Sequence, residues 1–385
     1  MGRAGRSGYY TEGNVIFTDP QIFDNRRSSA GFKKWVRVKE LLSFDSAEDC
    51  LSSLKGLVEK FASPGSDIDV MDFLSNSHHW LQRAVELRAE EKDKYRKRDF
   101  DSLIFEMNSR VDRLRALESY IIAYVGDDPD AAVGDIEALA KETLAYSLST
   151  EDEQNGLIAL FVHIFDKMKA LDARFYKGYG RSLLGIDQLM LVEQWLDNNQ
   201  FDLGISESCD DALQVVWTLV MQLSHGSIGH KIMPETLSLG IAFRWIAGES
   251  YKELLEYVKL SKGYYQAGKQ KRTVTIDNII EFCDKFLGYE AMLYVGGVAD
   301  ILEAKGMLEV CVTNFRELQS RLKYGLGTDF EIGLHAGNYP DREVVKMIST
   351  ELNKVSSVKL NQESINDNQP LIVSILARLP SYFSR

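Results

Sequence analysis

The chain has 385 residues, 45% hydrophobic and 26% charged, with 45 Lys and Arg against 57 Asp and Glu. That is the mix of an ordinary globular protein with apolar material for two or three domains, and seven prolines exclude a proline-rich stalk. A net charge of −12 excludes a surface coated with phosphate contacts, so any nucleic-acid contact has to be local.

The charge is uneven along the chain. Residues 1–40 carry eight basic side chains against four acids, a balance of +4 that leaves −16 for the remainder. In this segment Gly2, Gly5, Gly8 and Gly13 lead into a β-rich run at 14–18 closed by Asp19-Pro20, which reads as loop, strand and turn. A strand cannot stand alone, so this one pairs with a distant part of the chain or its sheet lies outside the sequence.

From about residue 32 to residue 355 the pattern is helical. Phe100, Leu103, Ile104, Met107, Val111, Leu114, Ile121 and Val125 recur mostly in three- and four-residue steps and stop at Gly126-Asp127-Asp128-Pro129. Residues 211–223 are apolar nearly all round and predict a deeply buried helix. Pro234 and Glu235 open the next helix, which ends near Gly248, and Ser250 caps Tyr251–Leu260. Helical spacing returns at 276–286, 289–302, 308–324 and 341–352, and the tail at 361–368 is polar. Residues 371–376 (LIVSIL) fit a strand or a helix equally.

The longest apolar stretches, 157–165 and 215–221, fall far short of the roughly 20 residues of a membrane span. The opening lacks a signal-peptide core and the myristoylation pattern. Cys50, Cys209, Cys283 and Cys311 form no CxxC pair and read as small buried side chains of a reducing compartment, here the cytoplasm. The histidines show no ligand spacing, so no metal site is expected. Paired carboxylates such as Asp127-Asp128 and Asp210-Asp211 suit helix ends.

Three features carry possible chemistry. Arg3 and Arg6, three residues apart on a glycine-slimmed loop with Gly2 and Gly5, present two planar forks suited to phosphate oxygens. Lys259, Lys262, Lys269, Lys271 and Arg272 lie within fourteen residues with no acid among them, interleaved with Tyr264 and Tyr265. Cations that hold phosphates beside rings that stack on bases are what single-strand tracking needs, and a solvated basic loop between two helices is the other reading. Gly325 and Gly327, in LKYGLGTD, have the layout of a helix–hairpin–helix turn whose amides bind a phosphate; a plain glycine helix stop is the alternative. Residues 263–270 (GYYQAGKQ) spell GxxxxGK, but Gln270 stands where a Mg²⁺-binding Ser or Thr is needed, and a helix precedes it, so it is no nucleotide site.

Gly2-Arg3-Ala4-Gly5-Arg6 resembles motif VI of the superfamily 2 DEAD/DEAH-box helicases, Gln-x-x-Gly-Arg-x-Gly-Arg. The alanine, together with Glu12-Gly13 before the 14–18 strand, resembles the branch of the exosome-associated RNA helicases and archaeal repair helicases. The pattern's glutamine would lie two positions before Met1. Residues 241–254 (IAFRWIAGESYKEL) are similar to the helical C-terminal region of that branch, with Trp245 and Tyr251 as scaffold.

The likeness implies a mainly α fold: a helical accessory bundle following the last loop and strand of a RecA-like α/β domain. Residues 1–25 would end that second motor domain, 26–225 form a helical accessory region, 226–360 a helical region touching nucleic acid, and 361–385 a tail. Arg3 and Arg6 would face the γ-phosphate, where arginine fingers are worth roughly 10³–10⁵ in rate. ATP and Mg²⁺ would be held by the parent's Walker motifs in a missing N-terminal motor domain; this chain alone has neither motif and binds neither cofactor. Single-stranded DNA or RNA is the expected partner. Acidic helical regions of this kind are also similar to those of bacterial defence helicases of the Hachiman type, which implies a co-encoded nuclease as a further partner. A non-enzymatic α-helical interaction module with incidental N-terminal arginines is the competing class.

Overall fold

Helix periodicity in the sequence becomes helix throughout the described chain. The computed structural model describes residues 27–28, 32, 34–36, 38, 52–61, 68–204, 207–224, 228–267, 270–337, 339, 341–355 and 364–378. The chain divides between Ser52 and Ser53 into two units, and the elements named below belong to the second. Residues 1–25, to which the helicase likeness assigns the end of a RecA-like domain, lie outside the described residues.

The short helices α1 (Lys55–Val58) and α2 (Val70–Ser75) lead into α3 (Ser77–Glu90) and the long α4 (Lys94–Asp127). Next come α5 (Val133–Lys141), α6 (Leu144–Leu148), α7 (Glu151–Met168), α8 (Tyr176–Ser182), α9 (Ile186–Gly204) and α10 (Cys209–Leu223). β1 (Ile232–Met233) precedes α11 (Thr236–Ile246) and α12 (Tyr251–Leu260), and β2 (Tyr264–Ala267) and β3 (Gln270–Thr273) follow. The three strands form one antiparallel sheet in the order β1-β2-β3. The helices expected at 276–286 and 289–302 form one rod: α13 (Ile276–Glu281) passes through a π-helical stretch, Phe282–Ala291, into α14 (Met292–Ala304).

After α14 come α15 (Glu309–Tyr324), α16 (Asp329–Ala336), α17 (Arg342–Val355), α18 (Ser364–Asp367) and α19 (Gln369–Leu376). The ambiguous 371–376 run is therefore helical, with Pro370 in its first turn and Ile372 and Ile375, one helical step apart, buried.

Among the described residues two apolar cores result. The larger draws on residues from Leu57 to Leu322 and includes both sides of position 225, the boundary read from the sequence. The smaller gathers Leu326 from the turn before α16 with Phe330, Leu334, Val345, Ile348, Leu352 and Ile372 from α16, α17 and α19. In the larger core α8 lies between α4 and α14. A Cβ on Gly178 would sit 2.3 Å from the Ala304 Cβ, and one on Gly180 2.5 Å from the Ala123 Cα, so the small residues set these approaches. Leu183 then closes α8 in the left-handed conformation (φ 57°). Glycine fills such a position without strain; leucine costs about 1–2 kcal/mol there.

Cys209, Cys283 and Cys311 are buried free thiols, as the sequence implied, and Cys50 lies outside the described residues. Among the described residues no helix is long and apolar enough to cross a membrane.

Candidate nucleic-acid interface

The basic stretch is built outward from α12. Ser250 opens that helix with a reciprocal cap: its hydroxyl accepts from the Glu253 amide (3.3 Å), and Glu253 Oε2 accepts from the Ser250 amide (2.7 Å). At the far end Lys262 is left-handed (φ 55°), its amide donating to Lys259 O and the Gly263 amide to Val258 O (2.8 Å). This pair of bonds is a Schellman closure. The chain passes directly into β2.

Sequence patterning reads 261–273 as a loop between helices; the structure makes most of it sheet. The cause is pairing on both sides of β2, one partner adjacent and one remote in the chain. Tyr264 and Tyr265 pair with Met233 and Ile232 on one side and with Thr273 and Arg272 on the other. No apolar alternation announces this, because β3 (QKRT) is exposed at all four positions.

Neighbouring strand residues face opposite ways, and this separates the two tyrosines. Tyr265 shares its face with the fully buried Ile232 and packs against the larger core. Tyr264 is half-buried on the other face, where Lys271 Nζ stands 4.4 Å from its ring centroid in a cation–π contact. On the edge strand, Arg272 pairs with Tyr265 in register and donates to Gln270 Oε1 (3.2 Å). Lys259 and Lys262 are exposed at the base of the hairpin. Tyr264 and Lys271 are thus brought together on one face, whereas Arg272 shares the register position of Tyr265, which is partly committed to packing, and Lys262 is exposed at the start of the hairpin. Lys269 lies outside the described residues, as do Gly2, Arg3, Gly5 and Arg6.

The 325–327 turn is filled from within. Gly325 ends α15 in the left-handed conformation (φ 60°), its amide donating to Arg321 O (2.8 Å) and its Cα facing the Trp245 ring. The Gly327 amide donates to Glu331 Oε2 (3.1 Å), so a carboxylate already stands where a phosphate would bind. The Arg342 guanidinium lies 3.8 Å from the Trp245 ring centroid and donates to the carbonyls of Gly325 and Glu249. Trp245 Nε1 donates to Leu322 O (2.8 Å), and the Tyr251 hydroxyl donates to Asp284 Oδ1 (2.8 Å). Burial pushes Arg342 below its ordinary pKa and, with help from Asp284, pushes the Tyr251 hydroxyl up. This is a joint between the two cores, with Trp245 and Tyr251 as its scaffold. A glycine helix stop, the alternative reading of the sequence, describes what Gly325 does.

One further site escaped sequence reasoning. A cleft of about 760 Å³ lies among α4, α9 and α10, with the start of α3 at one side. At its floor Glu118 is almost wholly buried, its Oε1 accepting from Lys167 Nζ (3.0 Å) and its Oε2 from the Ile186 amide (2.9 Å). Lys167 also reaches Asp187 Oδ1 (2.9 Å). Burial raises the Glu118 pKa against the pull of Lys167. For Lys167 burial acts downward, but the two carboxylates outweigh it and the ammonium is held charged. The signal was present: Glu118 stands on the buried stripe between Leu114 and Ile121, at helical spacing.

Among the described residues no cluster of His, Cys, Asp and Glu could hold a metal ion. No family model matches the chain, and no curated protein matches it.

Proposed function

We propose that the chain grips single-stranded DNA or RNA along the 264–273 hairpin, as the C-terminal part of an ATP-dependent helicase. The observation that carries the contact is the exposed β3 edge, where Lys271 stands against the Tyr264 ring and no acid occurs from 259 to 273. Ammonium and guanidinium groups take backbone phosphates, and a ring face takes a base whatever its sequence. Because the sheet fixes both kinds of group beforehand, binding orders few side chains.

The helicase half of the proposal rests on Gly2-Arg3-Ala4-Gly5-Arg6. Arg3 and Arg6 would reach the γ-phosphate of ATP held, with Mg²⁺, by Walker motifs in a motor lobe outside this sequence. A co-encoded nuclease docking on residues 26–385 belongs to the same proposal.

The contact is tested by fluorescence anisotropy with labelled oligothymidine and oligouridine between about 50 and 200 mM salt. Binding weakens steeply with salt, and Lys271→Glu with Arg272→Glu lowers affinity by about tenfold or more. Equal affinity of the variant and the parent rejects the hairpin. In a protein carrying both motor lobes, Arg6→Ala lowers ATP turnover by roughly 10³; unchanged turnover rejects the motif VI assignment.

A further inference from the structure

The three-stranded sheet has a closed face and an open one. Residues that stand opposite each other on paired strands point to the same side. On the closed side Ile232 is fully buried, and Tyr265, its partner, packs against the larger core. On the open side Met233, Tyr264 and Thr273 form one row across the strands. The same registers, continued one residue before β1, set Lys231 opposite Gln266, which in turn stands opposite Lys271. The Gln266 amide donates to Lys231 O (2.7 Å), so the ladder reaches this residue. None of the six residues in these two rows is buried, and none is acidic.

We propose that Lys231 is a further phosphate-binding residue, and that the single strand crosses the sheet from Lys271 to Lys231 instead of following β3 along its length. The inference rests on the reading of the hairpin as a nucleic-acid contact and gives that contact its path. Along β3 the open face offers Lys271 and Thr273, hence one cation; across the strands it offers two, Lys271 and Lys231. These stand two strand spacings apart, about 10 Å, with Tyr264 on the middle strand one row over. A polyanion gains most along the line that holds both cations, and its bases then come within reach of the ring.

Neither ammonium is neutralised from within. Among the described residues no carboxylate pairs with Lys231 or Lys271. Lys271 stands against the Tyr264 ring, and Glu235, the acid nearest to Lys231 in sequence, has its carboxylate 3.5 Å from His230 Nδ1. Lys231 is half-buried, so it has less side-chain freedom to lose when a phosphate binds.

The test is the salt dependence of anisotropy with labelled oligothymidine and, separately, oligouridine on the full chain. Lys231→Gln weakens binding by about fivefold and lowers the slope of log affinity against log salt by about 0.7, the loss of one phosphate contact on a single strand. Lys231→Arg, which keeps the charge, holds affinity within about twofold of the parent. Lys252→Gln removes the same charge from an exposed position at the end of α12 remote from the hairpin, and leaves affinity and slope nearly as in the parent.

Parent affinity in Lys231→Gln, with affinity lost in Lys271→Gln, overturns the crossing path and leaves the hairpin contact standing. Absence of binding by the parent, or affinity unchanged in both variants, overturns the hairpin contact and this inference with it. An equal loss in Lys231→Gln and Lys252→Gln reduces the effect to overall charge. A loss in Lys231→Arg as large as in Lys231→Gln makes Lys231 a support of the sheet, and either of these last results also overturns the proposal.

Discussion

The 264–273 hairpin and the 325–327 turn are the two described places where the sequence points to a phosphate, and they are built in opposite senses. The hairpin aims its cations outward from an edge strand that the core does not require. The turn aims its polar groups inward: its amides are taken by Arg321 and Glu331, and the Gly325 carbonyl is held by Arg342. A glycine pair reports that something approaches the backbone closely. Here what approaches is the Trp245 ring of the same chain.

The comparison breaks most visibly at Gly325. An alanine Cβ there would lie 2.4 Å from Trp245 Cε2 in a left-handed backbone. Strain and overpacking together cost about 3 kcal/mol, read as a lower denaturant midpoint. Full stability of Gly325→Ala would show that the turn is open after all, and would return it to the list of phosphate contacts.

The two tyrosines sharpen the other half. Tyr265→Ala costs about 2 kcal/mol of stability by emptying a place against the core. Tyr264→Ala leaves the melting transition nearly unchanged and weakens oligonucleotide binding by about 1–2 kcal/mol, the worth of one stacked base. The reverse pattern in paired melting and anisotropy measurements would mean that the faces of the hairpin are assigned the wrong way round.

The smallest effect belongs to Glu331→Ala. It releases the Gly327 amide and costs about 1 kcal/mol, the value of a partly exposed charge-assisted bond. Oligonucleotide affinity stays as it was. A gain in affinity would show that the carboxylate was masking a phosphate site.

Much of the helical frame was legible residue by residue. Ser250 is the cap that the sequence implies for Tyr251–Leu260, and the helix has those bounds. Gly126-Asp127-Asp128-Pro129 spells a helix stop, and α4 ends at Asp127. Caps and apolar steps act within one or two turns, so neighbouring letters suffice. The hairpin was harder, because β2 pairs on one side with Ile232 and Met233, some thirty residues earlier, and on the other with a wholly exposed strand that shows no apolar alternation. Gly268-Lys269, the Gly-X pair favoured between hairpin strands, was the available local hint. The cleft was harder still. Its walls come from residues as far apart as Ser77 and Leu223, and no spacing rule joins them.

By itself, the amino-acid order determined where many of the helices begin and end, such as Tyr251–Leu260, which faces they bury, and that positive charge is concentrated near 259–272. Tertiary structure decided which of those groups meet solvent. It turned one tyrosine of an adjacent pair inward and closed a glycine turn over an indole ring. Each outcome depends on contacts between segments remote in the chain, which local propensity does not encode.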